Sequence, residues 1–104
     1  MRSKDFRRVY DEGVRFSGPL FAAFCVREQE PDGPRIGFTC PRALGKAVVR
    51  NRIKRRVREA VRVQLERLSP LWSIVINPRR KAFDAPAAEL RREVERLFLR
   101  CNGS

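Results

Sequence analysis

The chain has 104 residues and 42% hydrophobic content, which suits one hydrophobic core and excludes a disordered chain. Lys and Arg number 24 against 12 Asp and Glu, so the formal net charge is +12 at pH 7. Charge on this scale destabilises a compact state by self-repulsion, which indicates a polyanionic partner, either nucleic acid or an anionic membrane surface. We predict a single domain over residues 1–104.

The cysteines and the N-terminal residues indicate the cellular compartment of the protein. Cys25, Cys40 and Cys101 are odd in number and widely spaced, and the chain has no histidine, so they form no metal-ligand pattern. We expect them to be reduced, buried small hydrophobic residues. The N-terminal residues carry no apolar signal core, and no apolar run reaches transmembrane length. A soluble, cytoplasmic protein is therefore expected.

The first third of the chain predicts a short helix followed by two strands. Ser3 is a plausible N-cap, Phe6, Val9 and Tyr10 share one helix face, and Gly13 ends the helix. The apolar run 20–26 has strand length, with Phe21 and Phe24 on opposite faces. Residues 30–34 read EPDGP, a turn signal, and 35–40 then form the returning strand of a hairpin with 20–26.

The pattern from residue 46 to 68 is helical, at about 100° per residue. One side, which we expect to pack on a sheet, carries Ile53, Val57, Ala60, Val61, Gln64 and Leu68. A separate polar stripe carries Asn51, Arg55, Arg58 and Arg62, with Lys54 at its edge. Such a helix can bury one side and offer the other to a partner.

The last third predicts a strand and a final helix. Residues 73–77 form a short strand that Pro78 ends, and Pro86 suits a first helical turn. The apolar stripe of that helix is Leu90, Val94, Leu97 and Phe98. The fold class is therefore α+β, with about four strands in a small mixed sheet packed with three helices.

The residue types give little support to an active site on the protein itself. Without histidine, no general base titrates near neutral pH, and the cysteines lack the partner that activates most thiol nucleophiles. Most Asp and Glu stand beside Arg in helical segments, where ion pairing on a solvated face is the simpler interpretation. We therefore predict no catalytic residue in this chain.

The stretch 46–58, KAVVRNRIKRRVR, favours nucleic acid over a membrane. Seven of its thirteen residues are Lys or Arg, and none is acidic. They lie at the N-terminal end of the predicted helix, where the macrodipole adds to phosphate attraction. A membrane-surface helix would need bulky apolar residues opposite the charges, whereas this one has Ile, Val and Ala. Aromatic residues on the first helix and strand pack in a core in the simplest interpretation, yet beside a basic groove they also stack unpaired bases.

A longer motif identifies a family resemblance. Residues 44–58, LGKAVVRNRIKRRVR, resemble the signature of the bacterial ribonuclease P protein subunit, an aliphatic residue and an Ala followed by R-N-basic-aliphatic-K/R-R and a further Arg. The likeness extends to KDFRRVYDEG (4–13), GPLFAAFCV (18–26), GFTCPRALG (37–45) and SIVI (73–76), so it covers nearly the whole chain.

The resemblance implies a fold and a function. It implies a left-handed βαβ crossover through the basic helix, although right-handed crossovers are the strong default. It also implies a subunit of a tRNA-processing endoribonuclease whose catalyst is an RNA with Mg²⁺, and partners that are the catalytic RNA and the 5′ leader of precursor tRNA. No membrane and no DNA partner is expected.

The resemblance also assigns residues to sites. It implies that Phe6, Tyr10 and Phe24 line a cleft for the leader. It places contacts to the RNA at Arg50, Asn51, Arg52, Lys54, Arg55 and Arg58. The basic stretch and the polar stripe add Lys46 and Arg62 to the predicted RNA contacts. A metal ion near Asn51 is one route for such a contact. Either Arg79 or Arg80 takes the role of the arginine that follows the last strand in the family.

Two other functions stay open at this point. One is a structural RNA-binding protein of ribosomal type without a part in catalysis, which would bind RNA and leave its cleavage unchanged. The other is a protein-only nuclease, which would cut without any RNA subunit.

Overall fold

The computed structural model describes residues 3–29 and 35–103, without the side chains of residues 3–5. The side chain of Ser3, which we predict to cap α1, and the predicted turn at 30–34 lie outside the described part. Three helices and four strands follow one another as α1 Ser3–Glu12, β1 Val14–Ser17, β2 Phe21–Arg27, β3 Arg35–Phe38, α2 Ala47–Arg62, β4 Trp72–Pro78 and α3 Ala87–Asn102. This order confirms the predicted α+β class.

The sheet order is β1-β2-β4-β3, which shows that the predicted hairpin of 20–26 with 35–40 is wrong. β2 pairs antiparallel with β1 and β4, and β3 pairs parallel with β4. The strand β4 is buried from Trp72 to Ile76, so it takes the central place, where both faces are covered. The four-residue strand β3, which is only partly buried, lies at the edge.

Parallel neighbours need a crossover connection, and α2 supplies it between β3 and β4. The left hand of this crossover stays a prediction. The strand β1 was not singled out in the sequence, because residues 14–17 are short and mostly exposed.

The main core lies between one sheet face and the helices α2 and α3. Phe21 of β2 and Ile74 of β4 are fully buried there, and they pack in one cluster with Ile53, Val57 and Leu97. The predicted inner side of the basic helix is therefore confirmed. The helix itself is shorter than predicted, since α2 ends at Arg62 and a 3₁₀ turn, Leu65–Arg67, precedes the buried Leu68. All four residues of the predicted α3 stripe are buried.

The opposite sheet face packs against α1. Val9 is fully buried against Val26 and Val75, and Phe6, Tyr10 and Phe24 pack around this smaller cluster. Phe21 and Phe24 thus lie on opposite faces, as the alternation along the strand predicts. The sheet therefore has a thick apolar side and a thinner side where a single short helix covers only part of the surface.

A buried carboxylate joins α3 to the start of β2. Glu93 is 2% exposed, and its Oε2 accepts hydrogen bonds from the backbone N–H of Leu20 at 3.0 Å and of Phe21 at 2.8 Å. Burial raises the pKa of Glu93, and the two backbone hydrogen bonds oppose that rise. A Cβ at Gly18 would lie 2.7 Å from this carboxylate, so glycine allows the close approach.

Candidate nucleic-acid interface

The start of α2 depends on one glycine. Gly45 has φ 136°, in the region that favours glycine, and it leads from the 3₁₀ turn Arg42–Leu44 to Lys46, the N-cap of α2. No side chain caps this helix end and its first turn has no acidic residue. The free N–H groups and the positive end of the helix dipole therefore reinforce the basic side chains nearby.

The eight basic and polar residues predicted to contact RNA are all accessible to some degree. Lys46, Asn51, Arg52, Arg55, Arg58 and Arg62 are exposed, and Arg50 and Lys54 are half-buried. The contacts of four of them, Arg50, Lys54, Arg58 and Arg52, place these on two flanks of the helix, one that faces β3 and one that faces α3.

The flank that faces β3 carries Arg58, Lys54 and Arg50. The guanidinium of Arg58 lies 5.8 Å from the centroid of the Phe38 ring. Burial raises the pKa of the Cys40 thiol, while the positive charges of Lys54, Arg50 and Arg58 oppose the rise, which places all three near Cys40. The Nε of Arg50 is buried and has no hydrogen-bond partner among the described residues.

The flank that faces α3 carries Arg52 and Arg56. Arg52 donates from Nε to the carbonyl of Phe83 at 3.1 Å and lies 5.0 Å from the centroid of that ring. Arg56 donates to the carbonyl oxygens of Ala82, at 2.6 Å, and Ala85. Arg56 was not singled out in the sequence because it looks like its basic neighbours, and only the contact with residues 82–85 distinguishes it.

Arg62, at the end of the predicted polar stripe, forms an ion pair with an acidic residue. It donates to both carboxylate oxygens of Glu59, at 2.9 and 2.6 Å. These hydrogen bonds lower the pKa of the Glu59 carboxyl. Both side chains are exposed, so solvent screens the pair and an anionic ligand could displace Glu59 from Arg62 at small cost.

The predicted cleft beside α1 is built on an aromatic pair. The rings of Tyr10 and Phe24 meet edge to face, with centroids 4.8 Å apart and an interplanar angle of 68°. Phe6 and Phe24 pack on the small cluster beneath, so they support the cleft more than they line it. Tyr10 lines a shallow depression of about 630 Å³.

Two polar residues of this depression were missed in the sequence. The hydroxyl of Tyr10 donates to Asn77 Oδ1 at 2.6 Å and lies 3.0 Å from Thr39 Oγ1, and Thr39 also donates to Asn77 Oδ1. Asn77 stands two residues after Val75 on β4, so strand alternation alone would have placed it on the α1 face. Cys40 also lines the depression and lies near Lys54, which makes the cleft continuous with the β3 flank of α2.

The cysteines are free, and two of the three behave as predicted. Cys25 and Cys101 are buried with their sulfur atoms 3.3 Å apart, and the Cys101 thiol donates to Cys25. Cys40 is only half-buried, because it lies at the rim of the cleft.

The described residues contain no metal-ligand group and no membrane span. Residues 3–29 and 35–103 hold no cluster of three or more His, Cys, Asp or Glu that could bind a metal ion. No helix in that part of the chain is long and apolar enough to cross a membrane.

Comparison with known proteins decides the family. The sequence model of the ribonuclease P family matches residues 1–102. The chain belongs to this family. A protein of Symbiobacterium thermophilum described as ribonuclease P protein component is 43% identical to it, over 91% of this chain and 83% of the relative. A protein of a Picosynechococcus species with the same description is 38% identical, over 92% of this chain and 83% of the relative.

Solved structures of ribonuclease P proteins support the same conclusion. The protein from Thermotoga maritima is similar with a TM-score of 0.84 at 27% identity, covering 96% of this chain and 94% of that one. The protein from Staphylococcus aureus gives 0.81 at 28%, covering 96% and 90%. The family resemblance and the α+β fold predicted from the sequence are confirmed.

The two arginines that follow the last strand face different neighbours. Arg79 donates to the Gly18 carbonyl at 2.9 Å and to Ser17 Oγ at 3.1 Å, beside the β1–β2 turn. Arg80 donates to the Leu44 carbonyl at 2.6 Å, at the entrance to α2. Only Arg80 therefore adjoins the ribonuclease P motif.

Proposed function

We propose that this chain is the protein subunit of a cytoplasmic ribonuclease P, where it binds the catalytic RNA through α2 and the 5′ leader of precursor tRNA through the cleft beside α1. The observation that carries the proposal is the family match over residues 1–102, in which the motif residues of α2 are accessible. The alternative of a structural RNA-binding protein has no observation in its favour.

The chemistry of each surface suits its proposed partner. Arginine side chains on the flank beside β3 offer paired donors to phosphate oxygens. In the cleft, the Tyr10 ring offers a stacking platform for an unpaired base, and the amide of Asn77 lies beside it as a donor. Cys40 marks the junction, so a leader that leaves the cleft meets Lys54 and Arg58 at once.

The protein would assist a reaction whose chemistry belongs to RNA. Two RNAs repel each other through their phosphates, and the arginines of α2 would reduce that repulsion and hold the leader in place. The Mg²⁺ ions would be held mainly by RNA, because Mg²⁺ requires about six oxygen ligands and Asn51 offers a single amide oxygen. We infer further that Arg80, beside the entrance to α2, takes the role of the family's arginine after the last strand.

Reconstitution tests the proposal. The protein is added to the catalytic RNA of its source organism at low Mg²⁺, and cleavage of precursor tRNA is followed by gel electrophoresis. We expect the protein to increase cleavage and to lower the Mg²⁺ requirement. RNA binding with unchanged cleavage would indicate a structural RNA-binding protein. Cleavage by nuclease-treated protein without RNA would indicate a protein-only nuclease.

A further inference from the structure

A second basic surface lies away from the cleft, in a groove between α2 and α3. The groove has a volume of about 410 Å³. Its walls carry Arg52, Arg55 and Arg56 from α2 and Arg91 from α3, and apolar side chains, including Leu90, form its floor. This volume lies in the range of small-ligand sites, which are mostly apolar with a few polar or charged groups that orient the ligand. An apolar floor with cationic walls therefore suits a ligand that has an apolar part and an anionic group.

The positive charge of this groove is not neutralised from within the protein. Arg55 and Arg91 are exposed and make no hydrogen bond or ion pair with a described residue. Arg52 and Arg56 are held by backbone carbonyls, which fix their guanidinium groups without cancelling their charge. The one acidic residue that lines the groove, Glu59, is engaged by Arg62.

The groove and the leader cleft occupy different sides of α2. Arg58 and Lys54 face β3 and the cleft, whereas Arg52 and Arg56 face the 3₁₀ turn Arg80–Phe83 and α3. A strand of RNA bound in the groove is therefore a different segment from the one in the cleft. Because both flanks belong to one rigid helix, binding in the groove would also fix the orientation of the cleft.

We propose that the α2–α3 groove binds one nucleotide of an unpaired RNA segment, with its phosphate between Arg55 and Arg91 and its ribose or base on the apolar floor. This inference rests on the proposed RNA-binding function and adds a second contact region to it. Arginine suits this role because its planar guanidinium both pairs with phosphate and stacks on bases.

A matched pair of variants on α3 tests the inference. Arg91→Gln removes a charge that lines the groove, and Arg92→Gln removes the same charge from an exposed neighbour outside it. Binding of the source organism's ribonuclease P RNA is titrated at several KCl concentrations. We expect Arg91→Gln to weaken binding several-fold and to reduce the slope of log affinity against log salt by about 0.7, while Arg92→Gln changes the slope much less. Equal slopes for the two variants would overturn the proposal.

A second pair separates the shape of the groove from its charge. Ala87 lines the groove and Ala88 does not, and both are exposed in the first turn of α3. Ala87→Leu should narrow the groove and weaken RNA binding at unchanged net charge, while Ala88→Leu leaves it unaltered. Equal binding by these two variants would count against a nucleotide in the groove.

These experiments distinguish a failure of the groove proposal from a failure of the proposed function. If the wild-type protein does not increase precursor cleavage, the proposed function fails, yet the comparison of Arg91→Gln with Arg92→Gln still reports on the groove. If cleavage is increased and the two variants bind RNA alike, only the groove proposal fails. A difference between them for polyglutamate but not for RNA would indicate an acidic protein partner and overturn the proposal.

Discussion

Tyr10 and Asn77 are 67 residues apart in the chain, and the hydroxyl of Tyr10 donates a 2.6 Å hydrogen bond to Asn77 Oδ1. This bond joins α1 to β4 across the cleft, on the sheet face that α1 only partly covers. Because the edge-to-face contact with Phe24 also holds the ring, Tyr10 is fixed from two sides before any ligand arrives. A fixed ring loses little conformational entropy when a base stacks on it.

Replacing Tyr10 should therefore weaken binding of the leader more than binding of the rest of the substrate. Tyr10→Ala is expected to lower affinity for leader-bearing precursor about tenfold, from the loss of one stacking contact, and to spare mature tRNA. Tyr10→Phe keeps the ring and should retain most of the affinity. Filter binding with both RNAs measures the effect, and an equal loss for precursor and mature tRNA would assign Tyr10 to the core alone.

Two adjacent arginines of α2 should differ in their effect on stability. Arg56→Ala leaves the carbonyls of Ala82 and Ala85 without a donor, so we expect the free energy of unfolding to fall by about 1–3 kcal/mol. Arg55→Ala should change it by less than about 0.5 kcal/mol, because its exposed side chain has no such partner. Denaturant titration measures both.

RNA binding provides the second readout for this pair. Arg55→Ala should reduce the salt slope of RNA binding by about 0.7, as expected for one lost phosphate contact. Arg58→Ala on the other flank should do the same. An unchanged slope would remove the residue concerned from the interface, and a stability loss for Arg55→Ala equal to that of Arg56→Ala would contradict the assignment of separate roles.

The buried carboxylate of Glu93 should make stability depend on pH. Its pKa is raised on folding, so the folded chain holds this proton to a higher pH than the unfolded chain does. The group's contribution to stability is therefore full below the unfolded pKa of about 4.3 and declines as pH rises to the folded pKa, above which it is constant. Glu93→Gln keeps an acceptor for the Leu20 and Phe21 N–H groups and removes this decline.

Denaturation over a pH series tests the Glu93 prediction. The variant should gain stability relative to wild type as pH rises above about 4.3. Glu95→Gln, which alters an exposed carboxylate on the same helix, serves as the control and should not show the gain. Parallel curves for wild type and Glu93→Gln would show that Glu93 titrates as it does in the unfolded chain.

Cys40 should act as a native probe of the cleft. It is half-buried at the rim, whereas Cys25 and Cys101 are 6% and 3% exposed. Iodoacetamide should therefore modify Cys40 first, and leader-bearing precursor should slow the reaction while mature tRNA does not. Mass spectrometry of the peptides measures the order, and modification of Cys25 at the same rate would contradict the burial.

Local patterns were sufficient where the structure depends on near neighbours in the chain. Helical periodicity predicted that Ile53 and Val57 face the core, and strand alternation placed Phe21 and Phe24 on opposite faces. The motif at residues 44–58 was enough to predict the family, because its spacing is fixed by a single helix and the turn before it.

Local patterns did not predict which strands pair with each other. The strand β3 follows β2 in the chain, and a hairpin is the simplest expectation for two neighbouring strands. The strand β4, which is buried from Trp72 to Ile76, instead lies between them, because it is the strand that can be covered on both faces. Which strand takes the central position depends on competition between segments far apart in the chain.

By itself, the sequence determined that this protein is a basic α+β domain of the ribonuclease P family, with a basic helix that we predict to bind RNA, because charge, periodicity and motif spacing are properties of short segments. Only the tertiary structure decided how the arginines of α2 divide between two flanks and that Asn77 and Thr39 hold Tyr10 in the cleft. Those relationships arise when β4 enters the centre of the sheet and brings its own end beside α1. Contacts between remote segments are set by which surfaces bury each other, and no local pattern records them.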